Sequence, residues 1–261
     1  MATNVVIGAG SGMGEAVARR LATGGERLLL ADIERTGIER LAGELAGDVE
    51  AHRCDLTEPD DLAALAEATG ELGRLVLTAG LSPTMGSGRR ILEVDIVGPA
   101  RLLSIFGPLA GAGSVAVLFA SMAGHLFPPA EDVDRILDEP LAGSVLDDLA
   151  AAGVDLDDTG TAYGIAKRAL IRLVRRSAAA WGARGARIVS LSPGIVDTPM
   201  GRREQESQPV MADMVAGSPL GRMIDADEVA AVAAFLASPQ ASAITGTDVL
   251  VDGGAVAGLL A

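Results

Sequence analysis

Seven short apolar runs, separated by stretches with helical periodicity, constrain this chain more than any other feature. The runs are VVIGA (5–9), LLLAD (28–32), DVEAHRCD (48–55), RLVLTAG (74–80), SVAVLFAS (114–121), RIVSLS (187–192) and DVLVDGG (248–254). Helical patterns lie between them: EAVARRLA (15–22), IERLAGELA (38–46), and segments near 58–70, 88–109, 160–181 and 226–237. Most of the runs do not alternate apolar with polar residues, so both faces of each strand must be covered. Parallel strands with helices on both sides meet that demand. The expected fold class is therefore α/β, a doubly wound parallel sheet. With no internal repeat and no linker, residues 1–261 are expected to form a single domain. Aromatic residues make up only 2% of the sequence, which leaves Ala, Val, Leu and Ile to build the core.

Charge narrows the function classes. A formal net charge of −14 argues against nucleic acid or an anionic membrane surface as a partner, because both require a basic face. No apolar run is long enough for a membrane span. The single cysteine, Cys54, cannot form an internal disulfide and suits a reducing compartment. The opening MATNVVIGAG has no basic leader before its first strand, so it reads as a mature start. A cytoplasmic location is expected, and no metal site is.

The first strand runs into G8-A-G-S-G-M-G14 and then a helix. Without side chains at Gly8, Gly12 and Gly14, the backbone can turn sharply and approach a pyrophosphate. The helix N-terminus then offers that anion free N–H groups and the positive end of its dipole. A flexible glycine turn is the plain alternative, and the strand–turn–helix context favours the cradle. Asp32 ends the second strand, where a carboxylate can accept hydrogen bonds from ribose hydroxyls and repel a 2′-phosphate. That selects NAD over NADP. Arg35 is the opposing signal and reads as a solvated charge at a helix start. Asp55 follows the third strand, where it either sits beside an adenine or caps the next helix.

The segment YGIAK (163–167) holds the only tyrosine and the only lysine of the chain. On a helix, positions i and i+4 share a face. A phenol of pKa about 10 exchanges its proton poorly at neutral pH unless a nearby cation favours the phenolate. Lysine brings a compact charge with rotatable donors, whereas arginine brings a larger rigid fork. A sequence that uses arginine everywhere else thus has a chemical reason for Lys167, and the pair Tyr163/Lys167 is read as catalytic.

Taken together, Tyr-x-x-x-Lys, the G-x-x-x-G-x-G turn, Ser121 after the fifth strand and S-P-G-I-V-D-T-P (192–199) resemble the short-chain dehydrogenase/reductase family over essentially the whole chain. The resemblance implies a Rossmann-type fold, NAD as cofactor and a small-molecule alcohol or ketone as substrate. It implies that Ser121 orients the substrate oxygen, Tyr163 exchanges its proton, and Lys167 lowers the tyrosine pKa and holds the nicotinamide ribose. It assigns to the cofactor Ser11 and Met13 in the glycine turn, Ile33 beside Asp32, and Leu56 beside Asp55. Ala79 and Gly80 end a motif whose asparagines are Leu77 and Thr78 here, and Pro193, Gly194, Val196 and Thr198 match the segment that contacts the carboxamide. Ile7 stands where a threonine is common. The family's fourth catalytic residue, an asparagine, is Asp95 here. Its carboxylate is expected to hold Lys167 protonated while opposing the Tyr163 phenolate.

Ser121 and Tyr163 are 42 positions apart, and the extra segment 125–160, with RLVLTAGL (74–81) and AAAWG (178–182), resembles the 3α-hydroxysteroid dehydrogenase/carbonyl reductase subgroup. Residues 131–158 contain ten acidic side chains and one arginine. The pattern predicts two short amphipathic helices with mostly solvated acids, started near Pro128-Pro129. His125 either faces substrate or stabilises a turn, and His52 is incidental. Loop 200–220 carries Met200, Met211 and Met214 as a lid over an apolar substrate or as helix core. The expected activity is interconversion of a secondary alcohol and a ketone on an apolar, alicyclic or steroid-like molecule. A dehydratase or epimerase on the same scaffold and a non-catalytic dinucleotide sensor are the alternatives. A homodimer through residues 226–254 or a higher homo-oligomer is expected, with the insertion blocking contacts through the Tyr163 helix.

Overall fold

The structure, a computed structural model, describes residues 2–127, 130–208 and 210–259. Its first half alternates strand and helix: β1 (Thr3–Ile7), α1 (Gly12–Ala22), β2 (Leu28–Asp32), α2 (Arg35–Glu44), β3 (Val49–Arg53), α3 (Pro59–Thr69) and β4 (Leu72–Leu77). Next come α4 (Gly88–Leu92), a π-helical turn (Glu93–Val97), α5 (Gly98–Phe106) and β5 (Ala110–Phe119). The inserted segment holds α6 (Ala123–Leu126), α7 (Glu131–Leu137) and α8 (Val145–Ala151), followed by the long α9 (Thr159–Gly182). The chain continues through β6 (Arg187–Pro193), β7 (Val196–Asp197), α10 (Pro199–Ser207), α11 (Val210–Gly217), β8 (Ile224–Asp225), α12 (Ala226–Leu236), β9 (Asp248–Val251) and α13 (Ala255–Leu259).

Seven strands form one parallel sheet in the order β3-β2-β1-β4-β5-β6-β9, and β7 pairs with β8 apart from it. This is the doubly wound, Rossmann-type arrangement, with an apolar core on each face. Leu29, Leu75, Leu102, Phe106 and Val174 pack on one side; Val6, Leu30, Val117, Val189 and Val229 pack on the other. Successive residues of β2, Leu28, Leu29 and Leu30, are all fully buried, each contributing about 2 kcal/mol of apolar burial. The strand order reverses between β1 and β4, which opens a crevice at the C-terminal ends of the strands, where ligands bind in such sheets.

One expected helix is interrupted. The continuous helix predicted over 88–109 widens into a π turn at Glu93–Val97, and the sequence supplies the cause. Pro99 has no N–H for the carbonyl four residues earlier, that of Asp95, and its ring crowds that oxygen. The ladder shifts instead, and the Gly98 N–H donates to the Glu93 carbonyl. The turn that results carries Asp95.

The insertion forms its two short helices as α7 and α8, and the Pro128-Pro129 start lies outside the described residues. Val133, Leu137, Leu149 and Leu156 join Ile91, Ile96, Ala162 and Ile165 in a third apolar cluster that attaches the segment to α4 and α9. Its acids are not uniformly solvated. Asp134 accepts a two-pronged bond from Arg168 at 2.8 and 2.7 Å, and Asp138 accepts from Arg172 at 2.8–3.0 Å. Asp158 caps α9 by accepting from the N–H groups of Gly160 and Thr161. The helical pattern placed acids on one face, but the arginines facing Asp134 and Asp138 lie more than thirty residues away.

Candidate active site

A cleft of about 520 Å³ lies at the strand ends. Its floor is the glycine turn. Gly8 has φ +89°, and a Cβ there would stand 2.4 Å from the Ala79 nitrogen. A Cβ on Gly14 would fall 1.9 Å from the Gly8 carbonyl oxygen. Any side chain at either position forces the turn away from α1 and β4, so the bare backbone is structurally required. The α1 N-terminus starts at Gly12 and faces the cleft, with Ser11 and Met13 in its wall. Thr78 stands where the sequence departed from the asparagine pattern. Its hydroxyl lies 2.9 Å from the Ile7 carbonyl and 3.1 Å from that of Gly8, so it ties β4 to the turn. Leu77 is core.

Asp32 sits at the cleft edge with Ile33, and each carboxylate oxygen accepts a backbone N–H: Gly10 at 2.9 Å and Glu34 at 3.1 Å. The carboxylate is thus fixed beside the glycine turn. Arg35 opens α2, is two-thirds exposed and lies 3.7 Å from Glu39, so it is a solvated helix charge. Asp55 lines the cleft with Leu56 but does not cap α3; Glu58 holds that place. Asp55 instead accepts from the Thr57 N–H and hydroxyl at 2.8 and 2.7 Å, a turn that shapes the wall. Ala79, Gly80 and Thr198 complete that wall, whereas Ser121, Pro193, Gly194 and Val196 are not among the residues that line it. The Val196 side chain belongs to the core, and Gly194 is pressed against Asp252, where a Cβ would meet Cα at 2.7 Å.

Helix α9 brings Tyr163 and Lys167 to the opposite side of the cleft, with the lysine Nζ 5.3 Å from the ring centre. Lys167 also lies 2.8 Å from Asp95 Oδ2, and both side chains are almost wholly buried. Asp95 Oδ1 accepts the Leu81 N–H at 2.9 Å. Ser121 follows β5; its Oγ accepts the Ala123 N–H at 3.2 Å, and its side chain helps to lower the Tyr163 pKa. Sequence reasoning named all four residues, and the fold gathers them.

Their titration follows from this packing. Burial raises the Tyr163 pKa; Lys167 and Ser121 pull it down, while Glu204 and Asp95 push it up again. Burial alone would lower the Lys167 pKa. The charges of Asp95 and Tyr163, with the Asp95 contact, outweigh that and leave it raised. Lysine therefore holds its proton, and the tyrosine phenol is stable at neutral pH.

Glu204 was not among the sequence candidates. It lies on α10, and its carboxyl pKa is raised by burial, with Ser82 and Lys167 pulling it back down. Nothing local in REQES distinguished it from other surface acids. The methionines divide: Met200 lines the cleft, whereas Met211 and Met214 pack against Met122, Ile195 and Val256. His125 turns away to Asp248, Nε2 to Oδ2 2.7 Å, and so acts as a structural residue of its turn. His52 stands 3.4 Å from Glu50 on β3. Cys54 is buried, with its thiol pushed up to about 12 chiefly by burial, which makes it a poor nucleophile. Among the described residues no cluster could hold a metal ion, and no helix is long and apolar enough to cross a membrane.

Comparison with known proteins covers the chain end to end. The family described as short chain dehydrogenase matches residues 2–131, and that described as enoyl-(acyl carrier protein) reductase matches residues 139–256. A short-chain dehydrogenase/reductase of Alternaria brassicicola is 36% identical, over 98% of this chain and 96% of its own length. The D-threitol dehydrogenase of Mycolicibacterium smegmatis is 32% identical, over 96% of this chain and 91% of its own. The solved 3-alpha-hydroxysteroid dehydrogenase from Pseudomonas sp. B-0831, complexed with NADH, superposes with a TM-score of 0.79 at 27% identity. That match covers 99% of this chain and 98% of the other.

Proposed function

Because the chain belongs to the short-chain dehydrogenase/reductase family, whose members bind a nicotinamide dinucleotide and act on small molecules, we propose that it uses NAD(H) to interconvert a secondary alcohol and a ketone. The observation that carries this reading is that Tyr163 and Lys167 line one cleft whose floor is the glycine turn, with Ser121 close enough to help lower the Tyr163 pKa. The turn fits a dinucleotide, since with Gly8 and Gly14 bare it folds tightly against β4 and leaves the α1 N-terminus facing the cleft. Gly8, Ser11, Gly12, Met13 and Gly14 would hold the pyrophosphate, Asp32 and Ile33 the adenosine ribose, and Asp55 and Leu56 the adenine. When bound, the cofactor supplies a two-electron hydride acceptor or donor.

In alcohol oxidation Ser121 orients the substrate oxygen by hydrogen bonding. Tyr163, as phenolate, takes the hydroxyl proton while the carbon gives up its hydride, and in ketone reduction the phenol returns a proton to the oxygen. Lys167 stabilises the phenolate by its charge, and Asp95 fixes that charge in place. The carboxylate of Asp32, with Arg35 turned out to solvent, favours NAD(H) over NADP(H). The apolar surface around Met200 and the similarity to a hydroxysteroid dehydrogenase support an alicyclic or steroid-like substrate body. Phe235 on α12 and Leu250 on β9, 47% and 37% exposed, support a homodimer through residues 226–254. The single cysteine supports a cytoplasmic setting.

A screen of cyclic and steroidal alcohols for NADH absorbance tests the activity. Fluorescence titration of NADH against NADPH tests the cofactor and should show at least about tenfold preference for NADH. Cofactor binding with no alcohol-dependent NADH signal from any of these alcohols would favour the sensor reading.

A further inference from the structure

The turn that carries Ser121 is short, and three contacts fix it. The Met122 N–H donates to the Pro193 carbonyl at the end of β6 at 2.8 Å. Gly124 lies so close to α9 that a Cβ would stand 2.9 Å from the Lys167 carbonyl carbon and the Arg168 nitrogen. His125 makes the third contact, its Nε2 2.7 Å from Asp248 Oδ2 at the start of β9.

Asp248 is an unusual place for a carboxylate. Its side chain is 1% exposed, and no lysine or arginine among the described residues pairs with it. Its other oxygen has no partner there, nor do the hydroxyls of Ser190 and Ser192 on the adjacent β6. Ser190 is its register partner, and Ser192 lies two residues on, so all three side chains share one face of the sheet. Burying a carboxylate is costly unless a partner compensates it, and His125 is the partner the structure provides. The same histidine closes the Ser121 turn: the Gly124 N–H donates to the Ser121 carbonyl, and the His125 N–H to that of Met122.

We propose that His125 and Asp248 form a positioning pair that anchors the Ser121 turn to β9 and so sets the place of the Ser121 side chain relative to Tyr163. The proposal rests on Ser121 and Tyr163 being the reacting pair. Neither His125 nor Asp248 needs to touch substrate. Neither residue of the pair lines the cleft that holds the cofactor cradle. Loosening the pair should therefore shift the Ser121 side chain relative to Tyr163 and leave dinucleotide binding intact.

Tyr163 is the only tyrosine in the sequence, so ultraviolet titration of tyrosinate in the whole protein reads this one residue without any substrate. The Ser121 side chain helps to lower its pKa, against burial and the charges of Glu204 and Asp95. In His125→Ala and Asp248→Ala the midpoint should rise. Turnover should fall roughly 10- to 100-fold, as expected for a small misplacement of a reacting group, with NADH affinity within about twofold of wild type. His125→Gln, which can still donate to Asp248, and Asp248→Asn, which can still accept from His125, should recover part of both losses. The double alanine variant should be no worse than the poorer single one. Midpoint and turnover at wild-type values in His125→Ala and His125→Gln would overturn the proposal. So would a lowered melting temperature with an unmoved midpoint, which marks a purely structural role. If wild type turns over no alcohol with NAD, the proposed function fails while the tyrosinate midpoint still decides the positioning claim.

Discussion

Helix α9 carries a cation–carboxylate contact on each of two sides, and the two are built differently. On the inner side Lys167 meets Asp95 at 2.8 Å, both nearly water-free. On the outer side Arg168, Arg172 and Arg176 meet Asp134 and Asp138 of the insertion in a ladder open to solvent at its edge. The neighbours Lys167 and Arg168 are both cations, yet they do different work. A planar guanidinium matches a carboxylate two-pronged and suits fastening one helix to another. A compact ammonium can serve the carboxylate and the tyrosine together, and its charge matters to a proton transfer. The inner contact is inferred to tune chemistry, and the outer one to hold the insertion.

The largest break in this contrast should come from Lys167→Ala. It strands the buried Asp95 carboxylate, which should cost about 3–5 kcal/mol of stability and lower turnover by roughly 10²- to 10⁴-fold. Lys167→Arg should not restore turnover. Tyr163→Phe should lose comparable turnover with stability within about 1 kcal/mol of wild type, which separates chemistry from folding. Denaturant melts alongside steady-state rates check all three variants.

Arg168→Ala should have a smaller and opposite profile: about 1–2 kcal/mol of stability lost, with turnover within about twofold. The outer ladder also makes a pH prediction. Arg168 holds the Asp134 carboxyl below the usual carboxylate range, against the effect of burial. A carboxyl with a depressed folded-state pKa contributes stability that is complete above its unfolded value, near 4, and disappears as pH falls through the folded value. Asp134→Asn should therefore be less stable than wild type at neutral pH, with the gap closing below about pH 4. The smallest effect is expected at Asp147, four-fifths exposed on α8 and 3.6 Å from Arg89. Asp147→Asn should stay within about 0.5 kcal/mol. A large loss there would mean that the acids of α8 also fasten the insertion.

The contrast also marks what the sequence could convey. The strand–helix alternation, the parallel sheet and the glycine turn were legible because they rest on local pattern: buried apolar runs, and glycines at the spacing of a tight turn. Tyr163 and Lys167 were legible because two singleton residues share one helical face. The π turn under Asp95 was missed although Pro99 was in view, because a proline in a helix can kink, end or widen it, and only packing selects among these. The Asp134–Arg168 ladder, the His125–Asp248 pair and Glu204 join residues brought together by tertiary folding, with no spacing rule to reveal them. Asp55 shows the local limit: its place after β3 allowed either an adenine contact or a helix cap, and the N-cap position of α3 is Glu58, three residues later.

The central claim is that the inner pair sets the proton affinity of Tyr163. Asp95→Asn tests it most directly, because it removes the negative charge while keeping a polar side chain of the same shape. The single tyrosine permits two readings of one quantity: the tyrosinate absorbance midpoint and the base-side limb of the rate–pH profile for alcohol oxidation. The wild-type profile should have an alkaline optimum, since burial, Glu204 and Asp95 all oppose the phenolate. With the Asp95 charge gone, the account predicts that both the midpoint and the limb move to lower pH and that turnover persists. A midpoint that stays in place or rises, or a variant that binds NADH and no longer turns over, would contradict it.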